Sequence, residues 1–176
     1  VKRTFSKYGK IMNTKGLTGH DVARAILDDN GLYDVAVEPT MGKLTDHYDP
    51  RRKVVRLSQT VYSNPSVAAL GVAAHESGHA IQHNVGYGPL VLRNRFVPIA
   101  NIGSSIGPYM AIFGLVIGWE NLVHAGIILF AAAVGFYLIT LPVEFNASKR
   151  AIEALETTGT LSRDEIQPAR TVLRAA

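Results

Sequence analysis

The run "FVPIANIGSSIGPYMAIFGLVIGWENLVHAGIILFAAAVGFYLITLPVE", Phe96–Glu144, carries a single internal charge, Glu120. Glu120 divides it into 24 uncharged residues, Phe96 to Trp119, and 23 more, Asn121 to Val143. A helix of about 20 apolar residues crosses the hydrocarbon layer of a bilayer, so both segments qualify. Two adjacent runs of this length seldom form the buried core of a small soluble domain, and the expectation is a transmembrane helical hairpin. Arg93 and Arg95 precede it and Lys149 and Arg150 follow it, whereas the connecting "GWENLVHAG" has no Lys or Arg. The positive-inside rule therefore predicts both polar flanks in the cytoplasm. Asn101, Ser104, Ser105 and Pro108 make the first run more polar than lipid contact requires, as in a span that lines a cleft or packs closely on a neighbour.

Composition narrows the rest. With 176 residues the chain suits one cooperative unit. The net charge of +4 comes without a long basic run interleaved with aromatics, which argues against a nucleic-acid partner. There is no cysteine, so a metal would have to be held by His, Asp or Glu. The mean hydropathy of +0.12 hides the contrast between the hairpin and its polar flanks. The start at Val1 and the end in a helical "TVLRAA" suggest that further chain flanks the sequence on both sides.

Before the hairpin, "SKYGKIMNTKG" is basic and aperiodic and reads as a membrane-proximal lead-in. "LTGHDVARAILDDNGL" predicts a helix with Thr18 as N-cap, Asp21 as its capping-box partner and Asn30-Gly31 as the stop. From "YDVAVEP" through "KLTDHYDPRRKVVRLS" the pattern has period two, with Asp49-Pro50 as a turn, and predicts a small antiparallel β-sheet. Ser63 or Asn64 then caps a helix from about Pro65 to His83. Beyond the hairpin, Leu141, Phe145, Ile152 and Leu155 continue the second span past Pro142 as a helix, and Ser162 with Glu165 opens a last one.

The helix around "VAAHESGHAIQH", Val72–His83, carries the chemistry. His75 and His79 stand at i and i+4, on one face of a helix, so both imidazoles can reach one tetrahedral ion. Glu76 sits beside that face, where a carboxylate can take a proton from an attacking water and return it to a leaving amine. Small neighbours, Ala73, Ala74, Ser77, Gly78 and Ala80, leave room for an ion and a peptide. His83 lies eight residues past His75, about 12 Å along the axis, too far for easy convergence. It is read as a substrate contact, a residue behind the ligands or a helix C-terminal cation. The third donor must come from elsewhere. Glu144, an acidic group at the end of a span, is the leading candidate, with Asp46, His47 and Asp49 of "TDHYD" as alternatives. A di-iron bundle would need a second E-x-x-H, and none occurs.

Four blocks in this order, "GLTGHDVARAILDDNGLYDV", "LTDHYDPRRKVVRLS", "SVAALGVAAHESGHAIQH" and "TLPVEFNASKRAIEALE", resemble the bacterial membrane-bound neutral zinc metallopeptidases. The resemblance implies Zn2+ at His75 and His79, with Glu76 as acid and base, and a further hydrophobic helix before and after the present chain. The chain is also similar, more distantly, to gluzincins of the prenyl-protease and heat-shock membrane-protease type. There the third ligand is a glutamate on a later helix, followed four residues on by an aspartate that orients a histidine ligand. By that likeness Glu144 is the ligand, and Ser148 stands where the aspartate would be.

These readings combine into a mainly α, gluzincin-like membrane protein. Its H-E-x-x-H helix and small sheet lie in a cytoplasmic part, 1–95. A transmembrane hairpin spans 96–142, and a cytoplasmic helical segment, 143–176, completes one catalytic unit. The expected activity is zinc-dependent endopeptidase cleavage of protein substrates in or near the lipid bilayer of a bacterial cell membrane, on the cytoplasmic side. His47 and Tyr48, with Tyr87 behind them, are the candidates to stabilise an oxyanion, and the "LTDHY" strand could align a peptide by edge pairing. The competing reading is a non-catalytic zinc-binding membrane adaptor, the partner of a larger protease complex.

Overall fold

A computed structural model of the chain describes residues 2–175. Its elements, in order, are α1 (Lys2–Tyr8), α2 (Gly19–Asp29), β1 (Ala36–Thr40), β2 (His47–Asp49), β3 (Val54–Ser58), α3 (Gln59–Tyr62), α4 (Val67–Asn84), α5 (Gly88–Ile117), α6 (Glu120–Thr157) and α7 (Arg163–Ala175). The protein is thus mainly helical, with one small sheet. They form two compact units, Val1–Val85 with Phe145–Ala176, and Gly86–Glu144. The division runs through the continuous helix α6, between Glu144 and Phe145.

In the first unit α4 is the central element. Apart from Val72, Glu76, His83 and Asn84, every residue of α4 is buried, as expected for a helix apolar on nearly all sides. Around it pack Val22, Ile26 and Leu27 of α2, Val55 and Leu57 of β3, Ala151 and Leu155 of α6, and Ile166 and Ala169 of α7. Thr18 and Asp21 form the expected capping box on α2, and Asn30 closes that helix. The cap of α4 is Ser66 rather than Ser63 or Asn64: its hydroxyl accepts from the Ala69 amide, while Asn64 Oδ1 accepts from the Ser66 amide. The segment before α2 is docked on the first unit. Asn13 Nδ2 donates to the carbonyls of Pro65 and Leu17, and Glu165 of α7 accepts from the Thr14 amide. These partners are 52 to 151 residues away for Pro65 and Glu165, beyond what local periodicity can show.

The sheet corrects one expectation. β2 pairs antiparallel with β3, but β1 pairs parallel with it, in the order β1-β3-β2. β3 therefore inserts between strands that would otherwise be neighbours. It is the strand with Val54, Val55 and Leu57 buried, and takes the covered central place. β1 contains Pro39, which lacks an N–H, and its exposed Ala36, Glu38 and Pro39 suit an edge.

In the second unit α5 and the Glu120–Glu144 part of α6 form a helical hairpin, closed by Gly118 at φ 71°. The helices meet closely: a Cβ on Gly126 would lie 2.6 Å from Gly107 O and from the Ala111 amide nitrogen. Both helices are long and apolar enough to cross a membrane, and only 22% and 11% of their most apolar stretches are buried in the protein. Ile99, Ile106, Ile112, Val116, Ile128 and Ile139 all face outward.

Candidate metal centre

Two features of α4 prepare the site. The small residues expected around the motif are buried, and Gly78 lets another backbone come close: a Cβ there would sit 2.7 Å from the carbonyl oxygen of Ala147 on α6. Only glycine permits this approach. His75 and His79 are each 8% exposed, with ring centroids 4.8 Å apart and planes at 80°. Ser148, one residue past Ala147, places Oγ 3.2 Å from His75 Nδ1. Gln82, one turn after His79, places Oε1 2.9 Å from His79 Nδ1. One helical turn before Ser148 stands Glu144, and the potential ligand atoms of His75, His79 and Glu144 lie within 4.8 Å of one another. Two donors at about 2 Å from a common tetrahedral zinc stand about 3.3 Å apart, so side-chain adjustments of roughly 1.5 Å or less would close this set round an ion. Two neutral imidazoles and one carboxylate also suit zinc chemically.

Glu144 has a cationic neighbour: Arg93 Nη1 is 2.8 Å from its Oε1. Glu76 lies on the part-exposed face of α4 with Val72 and His83, and makes no hydrogen bond or ion pair among the described residues.

The candidates in "TDHYD", at β2, have other partners. Asp46 accepts from the amide and hydroxyl of Ser58. For Asp49, partial desolvation works to raise the carboxyl, but the amides of Arg52 and Arg51 and the charge of Arg56 outweigh it and hold it below the usual range. His47 is exposed and its Nδ1 lies 2.8 Å from the Thr45 carbonyl oxygen. Tyr48, the next residue on β2, faces the core, and its hydroxyl hydrogen-bonds His83 Nδ1 at 2.9 Å. Burial, then the charges of Asp34 and Asp49, push the Tyr48 phenol up to about 12, so it stays protonated. Tyr48 and His83 border a cavity of about 190 Å³, together with Asp34, Lys53 and Asn84. Tyr87 stands at the N-terminus of α5.

Sequence reasoning missed Arg93, Gln82, Asn146 and Arg150. Gln82 Nε2 and Arg150 Nε both donate to Asn146 Oδ1, each at 2.9 Å. The usable signals were local: Gln82 follows His79 by one turn, and Asn146 precedes Arg150 by one turn.

The whole chain, residues 1–176, matches the family described as "Putative neutral zinc metallopeptidase". The chain belongs to this family. A protein from Bacillus subtilis (strain 168) named "Putative membrane protease YugP" is 52% identical over 176 residues, which is 100% of this chain and 78% of that relative. No solved structure matches the chain. Zinc is the cofactor of the neutral zinc metallopeptidase family, and the His75, His79 and Glu144 donor set fits it.

Proposed function

We propose that this chain is a membrane-embedded, zinc-dependent endopeptidase that hydrolyses peptide bonds in membrane or juxtamembrane proteins. The observation that carries the reading is the convergence of His75, His79 and Glu144 beside a Glu76 with no competing partner among the described residues. His75, His79 and Glu144 would hold the ion. Because Nδ1 of each imidazole is committed to Ser148 or Gln82, Nε2 is the nitrogen assigned to the metal. When bound, zinc polarises the scissile carbonyl and makes a nearby water more acidic.

The rest is the work of side chains. Glu76 takes the proton that water loses as its oxygen bonds to the carbonyl carbon, then delivers it to the amide nitrogen as the C–N bond breaks. The Tyr48 hydroxyl, kept protonated and held by His83, is the better donor to a substrate oxygen, since His47 is exposed and engaged with Thr45. β2 is an edge strand, able to pair with an extended peptide. Ser148 orients His75, and Arg93 pairs with Glu144.

The outward apolar faces of α5 and α6 support insertion of the hairpin in the bacterial cell membrane, and the flanking Arg93, Arg95, Lys149 and Arg150 favour a cytoplasmic site. Chains already at the headgroup level are then the natural substrates.

The test compares wild type and Glu76→Gln, purified in detergent, for bound zinc and for cleavage of casein and of a membrane protein. Glu76→Gln should keep its zinc and lose about 10²–10⁴-fold in cleavage. Stoichiometric zinc with equal, negligible cleavage in both proteins would instead identify a zinc-binding adaptor.

A further inference from the structure

His79, Gln82, Asn146 and Arg150 form a continuous chain of hydrogen bonds, and its direction follows from its last member. A guanidinium can only donate. The Asn146 atom facing Arg150 Nε at 2.9 Å must therefore be oxygen. That same oxygen lies 2.9 Å from Gln82, so the Gln82 atom facing it must be the NH₂ group. Gln82 then turns its oxygen to His79 Nδ1, 2.9 Å away, and His79 must carry its proton on Nδ1. Each step leaves one choice.

We propose that Asn146 and Arg150 are positioning residues which, through Gln82, set the tautomer of His79 and so direct the lone pair of Nε2 to the metal. The proposal rests on the zinc-site reading above and adds residues that touch neither metal nor substrate. Two observations favour it over simple helix cement. Gln82 is fully buried, so a reversed amide would oppose donor to donor at Asn146. Arg150 makes no ion pair among the described residues, although Glu153 lines the same small cavity.

The experiment uses Asn146→Leu, Asn146→Asp and Arg150→Gln in the purified protein, with zinc affinity measured against a chromophoric chelator. The His79 tautomer is read in the metal-free protein by long-range ¹H–¹⁵N NMR of labelled histidine at a pH where imidazole is neutral. Asn146→Leu and Arg150→Gln should weaken zinc about 10–100-fold and give His79 a mixed or Nε2–H tautomer. Asn146→Asp, which keeps an oxygen for both donors, should bind zinc within about threefold of wild type and retain Nδ1–H, since the acceptor is preserved. Unchanged zinc affinity and an unchanged Nδ1–H tautomer in the Leu and Gln variants would overturn the proposal, as would Nε2–H in wild type. A wild type that holds no zinc refutes the metal reading separately, and the NMR result still decides the tautomer. If Asn146→Leu does not fold, Arg150→Gln carries the same test.

Discussion

Gly78→Ala should damage a helix that alanine ordinarily improves. The added Cβ would lie 2.7 Å from Ala147 O, 3.3 Å from its carbonyl carbon and 3.5 Å from its Cα. All three are backbone atoms, so no side chain can rotate away. An ordinary C···O contact needs more than about 3.3 Å, and α4 and α6 must therefore move apart by roughly half an ångström or more at this point. Overpacking of this kind costs about 1–3 kcal/mol, against about 1 kcal/mol gained from the better helix former, for a net loss of about 0–2 kcal/mol. In a chain of this size each kcal/mol moves the unfolding midpoint by about 2–4 °C. The same separation would stretch the 3.2 Å contact of Ser148 with His75 and the 2.9 Å bond of Gln82 with Asn146. Zinc affinity should then fall by about 10-fold, as when a partner of a ligand is lost. Gly71 is the internal control. It is buried in the same helix, but its added Cβ would meet nothing nearer than 3.7 Å, so Gly71→Ala should raise the midpoint and leave zinc binding alone. Thermal unfolding in detergent and chelator competition read both effects. If Gly78→Ala is stabilised as much as Gly71→Ala and binds zinc normally, the close approach of α4 and α6 is not what builds the site.

Replacing Glu144 by Ala should weaken zinc by more than the roughly 10–100-fold of a residue behind the ligands, measured as metal retained through dialysis against a chelator; unchanged occupancy would transfer the third ligand to Asp46, His47 or Asp49. Glu165 gives a pH test. Desolvation works to raise its carboxyl, but the amides of Ser162 and Thr14 and their hydroxyls overcome this and lower it from 4.5. A depressed folded value means that the stabilisation is complete above about 4.5 and is lost as pH falls through the lower folded value. Glu165→Gln should therefore be less stable than wild type at pH 7, with the gap closing under acid; a gap that stays constant down to the acid end would refute the assignment.

The two halves of the site differed in how far they could be read locally. His75, Glu76 and His79 are related by helical spacing alone, so a stretch of five residues places the two histidines on one face and Glu76 beside it. The same holds for the Thr18–Asp21 capping box and for the continuation of α6 past Pro142. Hidden from such reading were the partners of the motif, since Ser148 meets His75 across 73 residues and Asn146 meets Gln82 across 64. Strand order was hidden for a related reason: alternation marks Ala36–Thr40 and Val54–Ser58 as strands but carries no sign of their order or relative direction; the buried β3 takes the centre, and β1 runs parallel to it.

By itself, then, the sequence determined the helical motif, the capping box of α2 and the two apolar helices, because each depends on spacing or composition within one segment. The tertiary structure brings the potential ligand atoms of Glu144, His75 and His79 within 4.8 Å of one another, pairs Arg93 with Glu144, and stands Asn146 and Arg150 behind Gln82. The last of these depends on how closely α4 and α6 approach. That distance is set by a missing side chain at Gly78 and by the core around it, which no periodicity along the chain records.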